Sequence, residues 1–320
     1  MNVNTSVSIP TIRLGDPDTV AALRSACIHV GFFYLEDHGI ETHFFKRVFE
    51  ESRKLFALPI NEKEALSDKI MSRGYTAMQE ETLDLATQTE GDTKEGYYIG
   101  RDIPASDPRY DPAKLRGPNQ WPSNDVLPEF QSTMEEYLNL LSAIGMQVVQ
   151  LLAVALGLEE TYFDKYFQEP ITTLRLLHYE KRESNPEEGI FACGAHSDYG
   201  ILTLLLTDEH EGLQILHKDE WIDVPPKPNA FVVNLGDMLE RWTNGLMKST
   251  QHRVLTSGDS ERYSIPFFYD PAFETLVECL DVCTDEGNPP RYPPTTAGEH
   301  LVNKYHETHA DFAPEMKIEP

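Results

Sequence analysis

The chain has 320 residues, 53 acidic and 27 basic side chains, and a formal net charge of −26. Its hydrophobic content of 40% is too high for an intrinsically disordered chain, and its length sets the expectation at one large or two ordinary domains. Acidity of this degree argues against general nucleic-acid or membrane-surface binding, because phosphate contacts run on clustered Lys and Arg.

Four scattered cysteines, Cys27, Cys193, Cys279 and Cys283, make neither a disulfide framework nor a zinc site and read as reduced thiols. The start Met1-Asn2-Val3-Asn4-Thr5 lacks the basic and apolar segments of an export signal. Apolar runs such as Leu204-Leu205-Leu206 are far shorter than the ~20 residues of a membrane span. The expectation is a cytoplasmic protein.

In chain order, Ser8 to Ile12 is a short strand candidate and Asp16 to Val30 an amphipathic helix. Gly31 to Leu35 is aromatic and apolar, hence a strand. A turn follows at Asp37 to Ile40, where His38 reads as structural. Thr42 to Phe56 forms a second helix, with Phe45, Val48, Phe49 and Phe56 as its stripe. Residues 67 to 128 are rich in Gly, Pro and acids, with little periodicity beyond Arg73 to Thr76 and Gly96 to Gly100; they read as loops leaning over a cleft. Glu129 to Leu156 carries the strongest helical period in the chain and ends at Gly157, where a cap belongs.

After Pro170 the period changes. Thr172 to Tyr179, Ile201 to Thr207, Leu213 to Leu216, Trp221 to Val224, Ala230 to Leu235, Thr250 to Leu255 and Arg262 to Tyr269 read as strands. Their spacing argues for a β-sandwich or barrel. The chain closes with a helix over Ala297 to Thr308 and a polar tail. His178 reads as a packing residue, and His210, His217, His300, His306 and His309 as surface residues.

Within the strand region, His196 and Asp198 are two apart in Gly194-Ala195-His196-Ser197-Asp198-Tyr199-Gly200 and project to one side of extended backbone. The flanking glycines permit close backbone approach. A second histidine, His252, sits on a later strand. A strand-borne His-x-Asp plus a distant strand His is what a 2-His-1-carboxylate non-haem Fe(II) site requires. Arg262 and Ser264 share one face of the next strand, a pair suited to clamp a carboxylate. Iron, open coordination positions and a carboxylate clamp suggest an oxoacid cosubstrate.

At these residues the sequence resembles the 2-oxoglutarate- and Fe(II)-dependent dioxygenases of the isopenicillin N synthase-like group, over nearly its whole length. Gly31-Phe32-Phe33-Tyr34 through His38-Gly39-Ile40, Asn234-Leu235-Gly236-Asp237 and Trp242-Thr243-Asn244-Gly245 match further family stretches. Leu174-Arg175-Leu176-Leu177-His178-Tyr179 is most similar to thymine-7-hydroxylase-like members. The resemblance implies a mainly β fold with flanking helices, a double-stranded β-helix (jelly roll, cupin-like) core. It divides the chain into an N-terminal helical and mixed region (1–128) and a scaffold helix plus jelly roll with a C-terminal helix (129–320), working as one catalytic unit.

The resemblance also implies that His196, Asp198 and His252 hold Fe(II), and that Arg262, Ser264 and Tyr179 hold 2-oxoglutarate. O2 is the oxidant, ascorbate the reductant, and succinate and CO2 the coproducts of oxidising a substrate C–H bond. Many plant members carry Asn where this chain has Leu177, which loosens the analogy with those enzymes. By analogy Arg175, Tyr199 and Phe268 contact substrate, and Thr172 stands where the thymine enzyme has an Asn. Arg175 alternatively pairs with a loop acid, Glu80 or Glu81. Tyr97, Tyr98, Tyr75 and Glu80 are further lining candidates.

A buried Arg needs an anion or carbonyl acceptors, so the expected partner is a small polar molecule bearing carboxylate or carbonyl groups. It is taken by a monomer, with no nucleic acid and no membrane. An Fe(II) oxidase that dispenses with 2-oxoglutarate, a non-catalytic binding protein, and a zinc or manganese barrel enzyme are the alternatives.

Overall fold

A computed structural model describes residues 8–68 and 73–308. The N-terminal start, the polar tail and His309 lie outside the described residues. The N-terminal third contains β1 (Thr11–Arg13), α1 (Thr19–His29), β2 (Phe32–Glu36), α2 (Thr42–Phe56), α3 (Ile60–Glu64), β3 (Ser67–Asp68), β4 (Arg73–Thr76) and β5 (Lys94–Gly100). Then come α4 (Phe130–Ala155), β6 (Ile171–Tyr179), β7 (Cys193–His196), β8 (Leu202–Thr207), β9 (Leu213–His217), β10 (Glu220–Asp223), β11 (Phe231–Leu235), α5 (Asp237–Trp242), β12 (His252–Val254), β13 (Arg262–Asp270), β14 (Leu276–Val277), β15 (Thr295–Thr296) and α6 (Ala297–Thr308).

Two sheets carry the architecture. The larger has nine strands in the order β1-β2-β11-β8-β13-β6-β5-β4-β3, and the smaller has four in the order β10-β9-β12-β7. Phe32, Leu177, Tyr179 and Val232 of the larger sheet and Cys193, Leu213, Ile215 and Val254 of the smaller belong to one buried cluster between them. This is the sandwich of a jelly roll, with the helices on the outer face of the larger sheet.

The alternation along β13 explains the arrangement. Tyr263, Ile265, Phe267 and Tyr269 join the core shared with α4, whereas Arg262, Ser264, Pro266 and Phe268 line the space between the sheets. Successive side chains of a strand point to opposite faces, so one strand builds both core and site.

By length and composition α4 could cross a membrane; in the fold it is the scaffold helix, burying Phe130, Met134, Tyr137, Leu141, Val148 and Leu152. Phe130 is fully buried and meets Tyr97 and Trp121 edge-on at 5.7 and 6.2 Å. Phe130→Ala is expected to cost about 3–5 kcal/mol through lost burial and a cavity, read as a lower denaturation midpoint in urea with an unchanged slope.

The segment expected to be loops, 67 to 128, contains three strands that extend the large sheet. β5 pairs with β6 from Lys94↔Tyr179 to Gly100↔Thr173. Its sequence, Lys-Glu-Gly-Tyr-Tyr-Ile-Gly, has no clean alternation, and it becomes a strand because β4 and β6 satisfy its backbone groups on both sides. The connection from Ala77 to Thr93 remains irregular and carries Glu81 and Leu83 into the wall of a cleft.

Candidate metal and cosubstrate site

His252 on β12 lies directly opposite His196 on β7 in antiparallel register, which brings the two imidazoles to a centroid distance of 4.3 Å. Asp198 follows two residues after β7. Its Oδ1 is 3.8 Å from His196 Nε2 and 3.7 Å from His252 Nε2, and one ligand atom from each residue falls within 4.8 Å of the others. The Nδ1 atoms of His196 and His252 face the carbonyl oxygens of Gly194 and Thr250, at 2.8 and 3.2 Å. A ring whose Nδ1–H is used in this way presents the Nε2 lone pair inward.

The glycines around this motif allow close approach. A side chain at Gly194 would collide with Gln88, and one at Gly200 with the carboxylate of Asp270.

The other oxygen of Asp198 is held from two strands at once. Thr203 Oγ1 donates to Oδ2 at 2.5 Å and Asn234 Nδ2 at 2.6 Å. Thr203 and Asn234 are themselves register partners across β8 and β11. Burial opposes ionisation of Asp198, yet His252, His196 and these two hydrogen bonds keep its carboxyl below the ordinary range. The outcome is an ionised carboxylate with one oxygen tied back and the other facing the imidazoles. Two imidazole nitrogens and a carboxylate oxygen on one side of an open space fit a borderline divalent metal such as Fe(II). Asn234→Ala is expected to weaken Fe(II) binding about 10–100-fold while the far-UV circular dichroism stays native, measured by anaerobic metal titration.

Arg262 and Tyr179 are register partners across β13 and β6. The guanidinium lies 4.8 Å over the Tyr179 ring, and Ser264 Oγ donates to Tyr179 Oη at 3.3 Å. Burial raises the Tyr179 phenol above its ordinary value, against the pull of Arg262, so it keeps its proton. Arg262 is only 2% exposed. Its Nε makes one long contact, 3.4 Å to the His210 carbonyl, and its Nη1 has no hydrogen-bond partner. A buried guanidinium with an orphaned N–H is costly unless an anion completes it. Arg262, Ser264 and Tyr179 line the same cavity as the three metal-ligand candidates. That orphaned donor fits the distal carboxylate of a dicarboxylate cosubstrate.

A second arm of the cleft opens beside the first. The two empty volumes, about 510 and 560 Å³, share Leu83, Arg175, His196, Asp198 and Phe268, so both reach the metal-ligand candidates. Tyr98, Tyr199 and Tyr305 line the second arm. His300, expected at the surface, instead hydrogen-bonds the Tyr199 carbonyl at 2.9 Å and docks α6 on the metal-ligand loop.

Arg175 sits between the two arms with its Nη atoms on both oxygens of Glu81, at 3.2 and 2.9 Å, and its guanidinium 4.4 Å over the Tyr98 ring. Glu81 also meets Lys94 Nζ at 2.7 Å, and Lys94 contacts Asp92 as well. Burial disfavours the charge on both cations, but Glu81 outweighs it at Arg175, and Asp92 with Glu81 outweighs it at Lys94; both are held above their ordinary values.

Four expected lining residues lie elsewhere. Tyr97 and Tyr98 are neighbours on one strand and so face opposite ways. Tyr98 lines the cleft, whereas Tyr97 packs on Phe130 and donates its hydroxyl to the Gln120 carbonyl. Tyr75, in register with Tyr97, shares that far face and donates to Glu95 at 2.6 Å. Thr172 pairs with Tyr269 and Thr173 with Phe268, so Thr172 is turned to the helix side of the sheet; its buried hydroxyl has no hydrogen-bond partner. Glu80 is exposed and caps the Ala77 amide at 2.8 Å; its neighbour Glu81 occupies the cleft wall. Leu83, Lys94, Thr203 and Tyr305 were not expected as site residues from sequence, and Glu81 was expected only as one of two loop acids to pair with Arg175, which it does. The register of β5 against β6, with Lys94 opposite Tyr179, is what turns the buried Lys94 toward the cavity. Asn234 lies within the stretch that carries the resemblance.

Residues 9–124 match the family model described as non-haem dioxygenase in morphine synthesis N-terminal, and residues 171–271 match the 2OG-Fe(II) oxygenase superfamily. The chain is 37% identical over 297 residues to the 2-oxoglutarate-Fe(II) type oxidoreductase hxnY of Emericella nidulans, covering 91% of this chain and 84% of that one. It is 33% identical over 321 residues to kihadalactone A synthase LFS of Citrus sinensis, covering 97% and 95%. The crystal structure of the full-length thymine-7-hydroxylase of Neurospora crassa in complex with alpha-KG superposes with a TM-score of 0.83 at 31% identity, covering 95% of this chain and 97% of that one. The protein belongs to the 2-oxoglutarate- and Fe(II)-dependent dioxygenases, with their jelly-roll fold. It is thus an oxidoreductase that uses iron and 2-oxoglutarate.

Proposed function

We propose that the protein oxidises a C–H bond of a small polar metabolite bearing carbonyl or carboxylate groups, and that succinate and CO2 leave with the product. The observation that carries this reading is the buried Arg262, with an orphaned N–H in the same cavity as His196, Asp198 and His252. Iron bound at that triad supplies O2 activation, which no side chain here can perform.

In this reading His196 Nε2, Asp198 Oδ1 and His252 Nε2 ligate the metal. Arg262 and Ser264 clamp the distal carboxylate of 2-oxoglutarate, and the protonated Tyr179 donates beside them. Arg175, Tyr98, Tyr199 and Phe268 position the substrate in the second arm, and the loop bearing Glu81 and Leu83 excludes water. O2 is the oxidant, and ascorbate keeps the iron ferrous between turnovers. That the Neurospora crassa enzyme is solved with thymine and with 5-formyluracil supports a compact, carbonyl-rich substrate.

The test is stoichiometric. A metabolite screen should find compounds whose loss is matched one for one by succinate formation, only with Fe(II), 2-oxoglutarate and O2 all present. O2 uptake with substrate loss but no succinate would instead identify an oxidase that dispenses with 2-oxoglutarate.

A further inference from the structure

Among the described residues, and apart from Asp270, a buried acid of the second arm whose Oδ1 accepts from the Ile201 amide at 2.6 Å, the charges around the cleft cancel in two groups. In the first, resting on the function just proposed, Fe(II) brings two positive charges and Arg262 one; Asp198 brings one negative charge and 2-oxoglutarate two. In the second, Arg175 and Lys94 are matched by Glu81 and Asp92, through the bidentate contact at 3.2 and 2.9 Å, the 2.7 Å contact from Lys94 to Glu81, and the Lys94–Asp92 pair. All four of these residues are buried. Among the described residues, no cationic side chain of the cleft wall is left for a charged substrate.

What remains at Arg175 is a hydrogen-bond donor. Its Nε–H is buried and has no partner. Gly96 packs directly against it, and a Cβ there would stand 3.2 Å from Nε. An uncharged carbonyl oxygen satisfies such a donor. A carboxylate would have to enter beside Glu81 and lose its hydration with no counter-charge, which disfavours it against an uncharged group.

We infer that the substrate arm selects an electrically neutral, carbonyl-bearing molecule over its carboxylate counterpart, and that Glu81 is the residue that sets this preference by cancelling the charge of Arg175. Glu81 acts through Arg175 rather than on the reacting atoms, so it is a specificity-determining residue.

The probes are acetamide and acetate, matched in size and differing in charge. They are presented to the anaerobic Fe(II)- and 2-oxoglutarate-saturated protein, and binding near the metal is read as paramagnetic relaxation of the probe methyl protons. Wild type should relax acetamide more strongly than acetate. In Glu81→Gln, which keeps the shape and removes the charge, the acetate-to-acetamide ratio should rise about tenfold, equivalent to ~1.4 kcal/mol. Acetate preferred by wild type, a ratio unmoved in Glu81→Gln, or no relaxation of either probe overturns the inference. A protein that binds Fe(II) but no 2-oxoglutarate overturns the underlying function instead. Thermal melts establish that Glu81→Gln is folded, and Glu81→Ala, which removes the same charge, should shift the ratio in the same direction.

Discussion

Replacing His196 by alanine is expected to abolish turnover and to lower Fe(II) affinity by more than about 100-fold. Losing an outer hydrogen bond to a metal ligand already costs about 10–100-fold, and His196 would supply one of only three protein ligands. Its ring sits opposite His252 and 3.8 Å from Asp198 Oδ1, so its loss leaves the triad with two ligands. Anaerobic Fe(II) titration separates this from a folding defect, because the methyl of alanine fits the strand. The folded apoprotein should keep its melting temperature and lose the stabilisation that added metal gives, which follows from binding to the native state alone. A variant that still binds Fe(II) as tightly as wild type would remove His196 from the metal site.

Arg262→Ala should give the second large effect, and of a different kind. Removing one partner of a desolvated charge pair costs about 2–5 kcal/mol, or ~30-fold and upward in affinity. The KM for 2-oxoglutarate should rise by at least that factor, while Fe(II) affinity stays unchanged and kcat falls much less at saturating cosubstrate. Arg262→Lys should recover only part, because an ammonium lacks the planar fork that grips both carboxylate oxygens. In the apoprotein the mutation removes the long Nε contact to the His210 carbonyl and the stacking over Tyr179, but no hydrogen bond at Nη1. An unchanged 2-oxoglutarate KM would break the assignment of this residue.

The two effects differ because the geometry separates their tasks. His196, Asp198 and His252 converge from the minor sheet and the loop after β7, where Thr203 and Asn234 tie back one carboxylate oxygen. Arg262, Ser264 and Tyr179 come from two adjacent strands of the larger sheet.

Much of this was legible in the sequence. His196 and Asp198 could be placed together because a spacing of two in extended backbone puts side chains on one face, and the same rule joined Arg262 to Ser264. The long helix over 130–155 announced itself by its period. Three of the four lining residues that failed did so for a shared reason. Tyr97 and Tyr98, Thr172 and Thr173, and Glu80 and Glu81 are adjacent pairs of like residues in which only one faces the cleft or its sheet face. Composition and motif do not tell such neighbours apart; strand register and loop path do. A one-residue shift turns a side chain through the sheet.

By itself the sequence determined the family, the jelly-roll class, and the spacing of the His-x-Asp, the distant His and the Arg-x-Ser. These are properties of order along the chain. Folding settles which face of β5 and β6 meets the cleft, that Asn234 and Thr203 orient Asp198, and that the acid paired with Arg175 is Glu81, 94 residues away, and not its neighbour Glu80. The net charge of −26 could not foretell that last point. A field summed over the whole molecule is screened within ~8 Å at physiological salt, whereas the charge a substrate meets is set by the few buried groups within hydrogen-bond reach, and those are brought together only by folding.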